Sequence, residues 1–181
     1  MSNDGTPWGV EAQAMLAYRA GRLEQARAGF AAACEAFQQS GDDARAAEAA
    51  NNLCVVLLRL RRSAESLQVV QGTPQRLETA GLPLEAAQAW GNLASALAAC
   101  GRLEEAEEAF REAASRFEVL GDLEGRGHCL RGLSELALRR GRPLEALEAY
   151  RGVLESPGRR GLLPTALRAV LRAAGRMVHR S

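Results

Sequence analysis

The chain contains no lysine and no isoleucine among its 181 residues, and aromatic residues make up only 4%. The 23 basic residues are therefore all arginines. Without lysine the chain cannot form a Walker A phosphate loop, a Schiff base or a Ser–Lys nucleophilic pair. With so few aromatic side chains, we expect a core built from Leu and Ala. This composition is typical of a GC-rich genome, and we expect a bacterial source.

Residues for other catalytic or metal chemistry are also scarce. Two histidines and four aspartates leave few candidates for a triad or a metal site. The four cysteines (Cys34, Cys54, Cys100 and Cys129) include no CxxC pair, so the usual zinc spacing is absent. We therefore predict no metal, no cofactor and no enzymatic activity, and we expect free, mostly buried thiols in a reducing cytosol.

The chain also lacks long apolar runs. No window reaches 18 uninterrupted apolar residues, and the first eight residues show no basic-then-apolar pattern. We therefore expect no transmembrane helix and no secretory signal, and we predict a cytoplasmic protein. A hydrophobic content of 47% with 25% charged residues is typical of one soluble domain. The net charge of +1 argues against a general nucleic-acid binder.

Glycines recur at a fixed interval of 40 residues. One series is Gly21, Gly101 and Gly141, with Arg61 at the remaining position. A second series is Gly41, Gly81, Gly121 and Gly161. Three further series share the same period: Ala26, Ser66, Ala106 and Ala146; Phe30, Val70, Phe110 and Tyr150; and Phe37, Leu77 and Phe117. Independent series with one period indicate an internal repeat.

Each half-repeat of about 20 residues has the apolar spacing of one amphipathic helix. Asp42 and Asp122 follow glycines at predicted N-caps, and Pro83 and Pro143 fall in first turns, where proline is tolerated. The predicted helices lie near residues 8–20, 23–39, 43–60, 63–80, 83–100, 103–119, 122–140, 143–155 and 164–179. Pro74 predicts a kink or break within 63–80.

The paired helices resemble the tetratricopeptide repeat family. The third repeat carries its pattern most fully, as Trp90-x2-Leu93-Ala94-x2-Leu97 followed by Ala106-x3-Phe110-x2-Ala113. Ala14, Cys54 and Ser134 fill the small-residue position of the other repeats, where two helices come close together. The resemblance covers roughly residues 8–155 and implies an all-α, right-handed solenoid of four helix pairs.

The resemblance also suggests how the chain is divided. We expect an N-terminal tail at 1–7, repeats at 8–41, 42–81, 82–121 and 122–161, and a capping helix at 162–181. The period of 40 exceeds the family's usual 34 and is similar to its long-helix subclass. The triplets beginning at Asn52 and Asn92 resemble that subclass too. Repeat 2 departs furthest from the pattern, and repeat 4 has Gly132 in place of the Asn.

In such a solenoid, the first helices of the repeats line a concave face that is used for binding. The resemblance assigns these positions to that groove: Trp8, Glu11, Met15, Arg19, Glu48, Asn51, Asn52, Val55, Arg59, Gln88, Asn92, Ser95, His128, Arg131, Glu135 and Arg139.

An asparagine side chain can both donate to and accept from a peptide backbone, and arginine can bind a carboxylate through two parallel bonds. Asn52 and Asn92, flanked by the groove arginines, therefore predict an extended acidic peptide or a C-terminal carboxylate as the ligand. Alternatively, these residues are ordinary solvated side chains. The two-carboxylate clamp of some family members is not expected, because that clamp needs lysines.

Other candidate sites have simpler explanations. His128 and Cys129 are adjacent on a helix, so their side chains point about 100° apart, which is poor geometry for a shared metal. Ser134 lacks the flanking strand of a nucleophile elbow and serves as a small packing residue. The acidic run of Glu104, Glu105, Glu107, Glu108 and Glu112 is expected to be a solvated face near a helix N-terminus.

The end of the chain is basic: all 22 acidic residues lie at or before Glu155, and residues 156–181 carry six arginines. An apolar stripe contains Leu163, Leu167, Val170, Leu171, Ala174, Met177 and Val178. The opposite stripe contains Arg168, Arg172, Arg176 and Arg180. We predict a helix that caps the solenoid. A basic amphipathic helix that binds an anionic membrane or a partner groove is the alternative.

The function predicted from these features is a non-enzymatic scaffold or adaptor that binds a partner peptide in the concave groove. Two alternatives remain open. One is a self-assembling module in which another copy of the chain occupies the groove or binds the C-terminal helix. The other is a regulatory or sensor subunit that acts with an effector domain on a separate polypeptide.

Overall fold

The structure, a computed structural model, describes residues 5–154, and every regular element in that range is helical. The helices are α1 (Pro7–Arg19), α2 (Leu23–Gln39), α3 (Asp43–Arg59), α4 (Ser63–Val70), α5 (Thr73–Thr79), α6 (Pro83–Ala99), α7 (Leu103–Val119), α8 (Leu123–Arg139) and α9 (Pro143–Leu154). Successive helices pack as pairs, and each pair packs on the next, which confirms the predicted all-α solenoid. The predicted capping helix lies outside the described residues.

Local side chains start the helices where the sequence predicts. The Asp42 carboxylate accepts the N–H of Arg45 at 3.1 Å, and the Asp122 carboxylate accepts the N–H of Gly125 at 2.9 Å. Pro83 and Pro143 are the first residues of α6 and α9. The predicted N-caps are therefore confirmed.

Left-handed residues end the helices. Gly21, Gly41, Gly81, Gly101, Gly121 and Gly141 all have φ between 70° and 80°. Arg61 holds the equivalent position in repeat 2 with φ 59°, in a region where a side chain is disfavoured. The turn geometry of the repeat therefore imposes backbone strain at Arg61.

The predicted break in the second helix of repeat 2 is confirmed. α4 ends at Val70, Gly72 is left-handed with φ 78°, and α5 begins at Thr73. Pro74 has no N–H to donate to the preceding turn, which is why the helix cannot continue. Thr73 and Pro74 are both buried, so the break is packed into the protein.

The core is built from alanines and regularly spaced large side chains. Ala94 and Phe110 are buried in one cluster, and the partly buried Trp90 packs against it, as predicted for repeat 3. Gly132 faces the same cluster. A Cβ atom there would lie 2.5 Å from Cζ of Phe110, so glycine is what lets that ring approach α8.

Two expectations about polar residues need correction. Cys54 and Cys129 are buried, but Cys34 is half-buried and Cys100 is exposed. The acidic run is not uniformly solvated, because the Glu107 side chain is only 12% exposed. It pairs with Arg140 at 2.6 Å and with Arg111. Glu107 therefore ties α7 to the residue that follows α8.

Candidate functional site

The first helices of repeats 2, 3 and 4 (α3, α6 and α8) border a cleft of about 460 Å³. Residues from the N-cap of α8 and from α7 complete its wall. Six of the residues predicted for the groove line this cleft: Asn51, Asn52, Val55, Gln88, Asn92 and His128. The structure therefore brings together side chains that lie up to 77 positions apart in the sequence.

The amide side chains in the cleft fall into two groups. Nδ2 of Asn92 donates to Oδ1 of Asn51 at 2.9 Å, and Asn51 is only 8% exposed. This bond joins α3 to α6 and commits part of the Asn92 amide to the packing of two repeats. Within residues 5–154, the side chains of Asn52 and Gln88 make no hydrogen bond. These two amides are therefore available to a ligand.

Two glycines open the cleft. Gly91 and Gly125 occupy the positions held in repeat 2 by Asn51 and Arg45. A Cβ atom on Gly125 would lie 2.5 Å from the ring of Phe117, so the missing side chain lets this ring pack against α8. Phe117 also lines the cleft, with Val55 and Cys129 as further apolar surface.

The electrostatics of the cleft are mixed. Loss of water contact, assisted by the positive charge of Arg131, lowers the pKa of His128. The imidazole is therefore neutral at pH 7 and offers one donor and one acceptor. Asp122 and Glu124 add carboxylates near the start of α8. Burial raises the pKa of the Cys129 thiol to about 12, so this residue contributes a neutral wall.

Several predicted groove residues make contacts elsewhere. The Arg59 guanidinium lies 5.1 Å from the ring centre of Tyr18, and Arg139 donates to the Ala98 carbonyl at 3.2 Å. Oγ of Ser95 donates to the Gly91 carbonyl at 2.9 Å. Arg19 and Glu135 are exposed, and Arg131 is half-buried.

The N-terminal end of the predicted groove forms a separate cluster. Trp8 meets Phe37 edge to face at 5.4 Å, and the Arg45 guanidinium lies 4.1 Å from the Trp8 ring centre. Arg45 also pairs with Glu48 at 2.7 Å. Burial raises the pKa of the neighbouring Glu11 carboxyl. Met15 packs against the apolar cluster between α1, α2 and α3.

Sequence reasoning missed six lining residues: Gly91, Phe117, Asp122, Glu124, Gly125 and Cys129. Aligning the repeats shows that glycine replaces a larger residue of repeat 2 at positions 91 and 125, so the sequence contains a signal for these two positions. The sequence indicates Phe117 only as a member of a repeat series and Asp122 only as a helix cap. Their part in the cleft depends on how α7 packs against α8.

Comparisons with known proteins agree with this architecture. Two family models, both described as tetratricopeptide repeat, match residues 11–80 and 85–156. Among solved structures, BtubC (BKLC) from P. vanneervenii is similar, with a TM-score of 0.74 and 18% identity over 92% of this chain and 72% of that one. A thermophilic TPR protein from Thermus thermophilus matches at 20% identity over 96% of this chain and 100% of that one, but with a TM-score of 0.42. None of the curated proteins matches.

Across residues 5–154, no helix combines the length and the apolar character needed to cross a bilayer.

Proposed function

Because the chain belongs to the tetratricopeptide repeat family, whose members generally mediate protein–protein interactions, we propose that it is a non-enzymatic scaffold. Its ligand is an extended peptide segment of a partner protein, which lies across the first helices of repeats 2, 3 and 4. The observation that carries this proposal is the cleft of about 460 Å³ between α3, α6 and α8.

The chemistry of the cleft supports recognition of a peptide main chain. Asn52 and Gln88 present amides that make no hydrogen bond within residues 5–154, and each amide can pair with a backbone N–H and a backbone carbonyl. Asn92 is bonded to Asn51 and holds the two helices in register. Contact with the peptide therefore falls chiefly to Asn52 and Gln88, with His128 as a neutral third partner.

Fewer groups support a preference for an acidic peptide than support recognition of the main chain. Arg59 and Arg139 are engaged with Tyr18 and with the Ala98 carbonyl. Arg131, whose charge acts on His128, is the cation near the cleft that is best placed to attract a partner carboxylate. Our proposal therefore places main-chain recognition first and a carboxylate near Arg131 second.

A photo-crosslinking amino acid in place of Val55, which lines the cleft without a hydrogen-bonding role, tests where the partner binds. In native extract we expect adducts from position 55 and none from the exposed position 38 on α2, which serves as the control. Affinity of the captured peptide is then measured by calorimetry against Asn52→Ala/Gln88→Ala. Hydrogen bonds worth about 0.5–1.5 kcal/mol each predict a loss of about tenfold or more. Undiminished affinity in a folded double variant would show that the partner binds elsewhere.

A further inference from the structure

A second groove lies between α6 and α7 and has a volume of about 350 Å³. Its floor is apolar and consists of Trp90, Leu93 and Leu97 of α6 with Ala109 of α7. Its wall carries Glu105, Glu108 and Glu112, which follow one another on successive turns of α7. This acidic groove shares no lining residue with the cleft described above.

The acidic groove is a property of repeat 3 and not of the fold. α7 carries six glutamates and two arginines, whereas α2 and α9 each carry two glutamates and one arginine. The three glutamates of the wall correspond in α2 to Gln25, Ala28 and Ala32. The row recurs only in part: Glu65 of repeat 2 matches Glu105, and Glu145 and Glu148 of repeat 4 match Glu105 and Glu108. No other repeat has a glutamate at the position of Glu112, so the complete row of three is confined to repeat 3.

Part of the negative charge is available to a ligand. Arg102 donates to Glu105, and Arg116 pairs with Glu112 at 2.8 Å. Glu108 is exposed and has no ion pair within residues 5–154. The wall therefore keeps an excess of negative charge beside an apolar floor.

The C-terminal segment, residues 162–181, has the complementary pattern. It contains apolar residues at helical spacing and arginines at four-residue intervals on the other stripe, with no acidic residue. A segment with this sequence pattern can fold on binding as an amphipathic helix that lays its apolar side into a hydrophobic groove while its charges meet the opposite charges on the rim. We propose that the acidic groove binds the C-terminal segment of a second copy of the chain.

Distance favours a second copy over the same chain. α9 packs on α8, α8 packs on both α6 and α7, and the groove residues within 5–154 belong to α6 and α7. A path from the end of α9 to the groove must therefore cover about two interhelical distances, or about 16–20 Å. The seven residues 155–161 reach about 23 Å when fully extended, so binding within one chain would require this linker to be nearly straight. Binding between two chains carries no such restriction.

A charge-exchange experiment on the full chain tests the proposal. One chain carries the groove reversal Glu108→Arg/Glu112→Arg, and the other carries the tail reversal Arg168→Glu/Arg172→Glu/Arg176→Glu. Sedimentation velocity should show a salt-sensitive dimer for the unmodified chain and at least tenfold weaker association for each reversed chain alone. An equimolar mixture of the two should dimerise again, because each groove then meets a tail of opposite charge.

The matched control is Glu35→Arg/Glu118→Arg, which changes the net charge equally on exposed positions outside the groove and should leave the dimer intact. Circular dichroism verifies the helical content of every variant. An unmodified chain that stays monomeric up to high micromolar concentration would overturn the proposal, as would a mixture that fails to dimerise. A tail-reversed chain that is monomeric but melts earlier would assign the segment to the cap instead. None of these variants alters the cleft, so peptide binding there is judged separately.

Discussion

Repeats 2 and 3 share one period but differ in their second helices. Repeat 3 has the continuous α7 of 17 residues, whereas repeat 2 divides the same stretch into α4 with eight residues and α5 with seven. Val70 and Leu77 are nevertheless fully buried at the positions of Phe110 and Phe117. The register of the solenoid therefore depends on where the buried side chains fall every 40 residues, and not on an unbroken helix.

The two repeats also differ in how the helices of a pair meet. In repeat 3 the contact is apolar and contains Ala94 and Ala106. In repeat 2, Ser66 replaces the second alanine, and its hydroxyl donates to the Cys54 carbonyl at 3.0 Å. Because the buried hydroxyl is bonded, repeat 2 tolerates a polar group where repeat 3 has none.

The largest difference between the repeats should appear when their central side chains are truncated. Phe110→Ala should lower the free energy of unfolding by roughly 3–5 kcal/mol through lost burial and a cavity. Val70→Ala, one repeat earlier, should cost about 1–2 kcal/mol because two carbons are removed at about 0.8 kcal/mol each. Urea denaturation measures both values. Equal losses at the two positions would contradict the view that repeat 3 depends more on its central residue.

Overpacking the helix contact of repeat 3 should have a smaller effect. Ala94 is fully buried, so Ala94→Leu forces α6 and α7 apart and should cost about 1–3 kcal/mol. Ala99→Leu adds the same volume at an exposed position of α6. Its free energy of unfolding should stay within about 0.5 kcal/mol of that of the unmodified chain. The register assigned to α6 is wrong if the two variants share one denaturation midpoint.

Exchanging the residues at the left-handed turns should change the free energy of unfolding by about 1 kcal/mol. Arg61→Gly gives repeat 2 the residue that repeat 3 has at Gly101, and it should raise the melting temperature by relieving the strain at φ 59°. Gly101→Arg makes the reverse exchange and should lower it. Calorimetry on both variants checks the sign, which should be opposite for the two.

The smallest predicted effect is on the pH dependence of stability. The folded-state pKa of His128 is lower than its ordinary value of 6.5, so the unfolded chain takes up a proton more readily. The contribution of the neutral imidazole is fully present above pH 6.5 and is lost as the pH falls through the folded-state pKa. His128→Gln, which supplies the residue of repeat 3 at Gln88, should flatten this part of the stability profile. An unchanged slope below pH 6.5 would mean that the environment of His128 does not penalise its charge.

Much of the fold was determined by the sequence alone. The observed ends of α3, α6 and α8 lie within one residue of the predicted ends, and the break at Gly72–Pro74 was predicted as well. These features follow from caps, left-handed glycines and prolines, whose effects act within a few residues of the chain. The 40-residue period then determined how the helices are paired.

The make-up of the candidate sites was decided only by tertiary structure. The Asn51–Asn92 bond joins residues 41 positions apart, and the burial of Glu107 depends on Arg140, 33 positions away. The resemblance to the family assigned all the predicted groove residues to one surface, but only six of them line the cleft. Which side chains remain available depends on the partners that neighbouring helices bring to them, and those partners are set by packing between repeats rather than by local sequence.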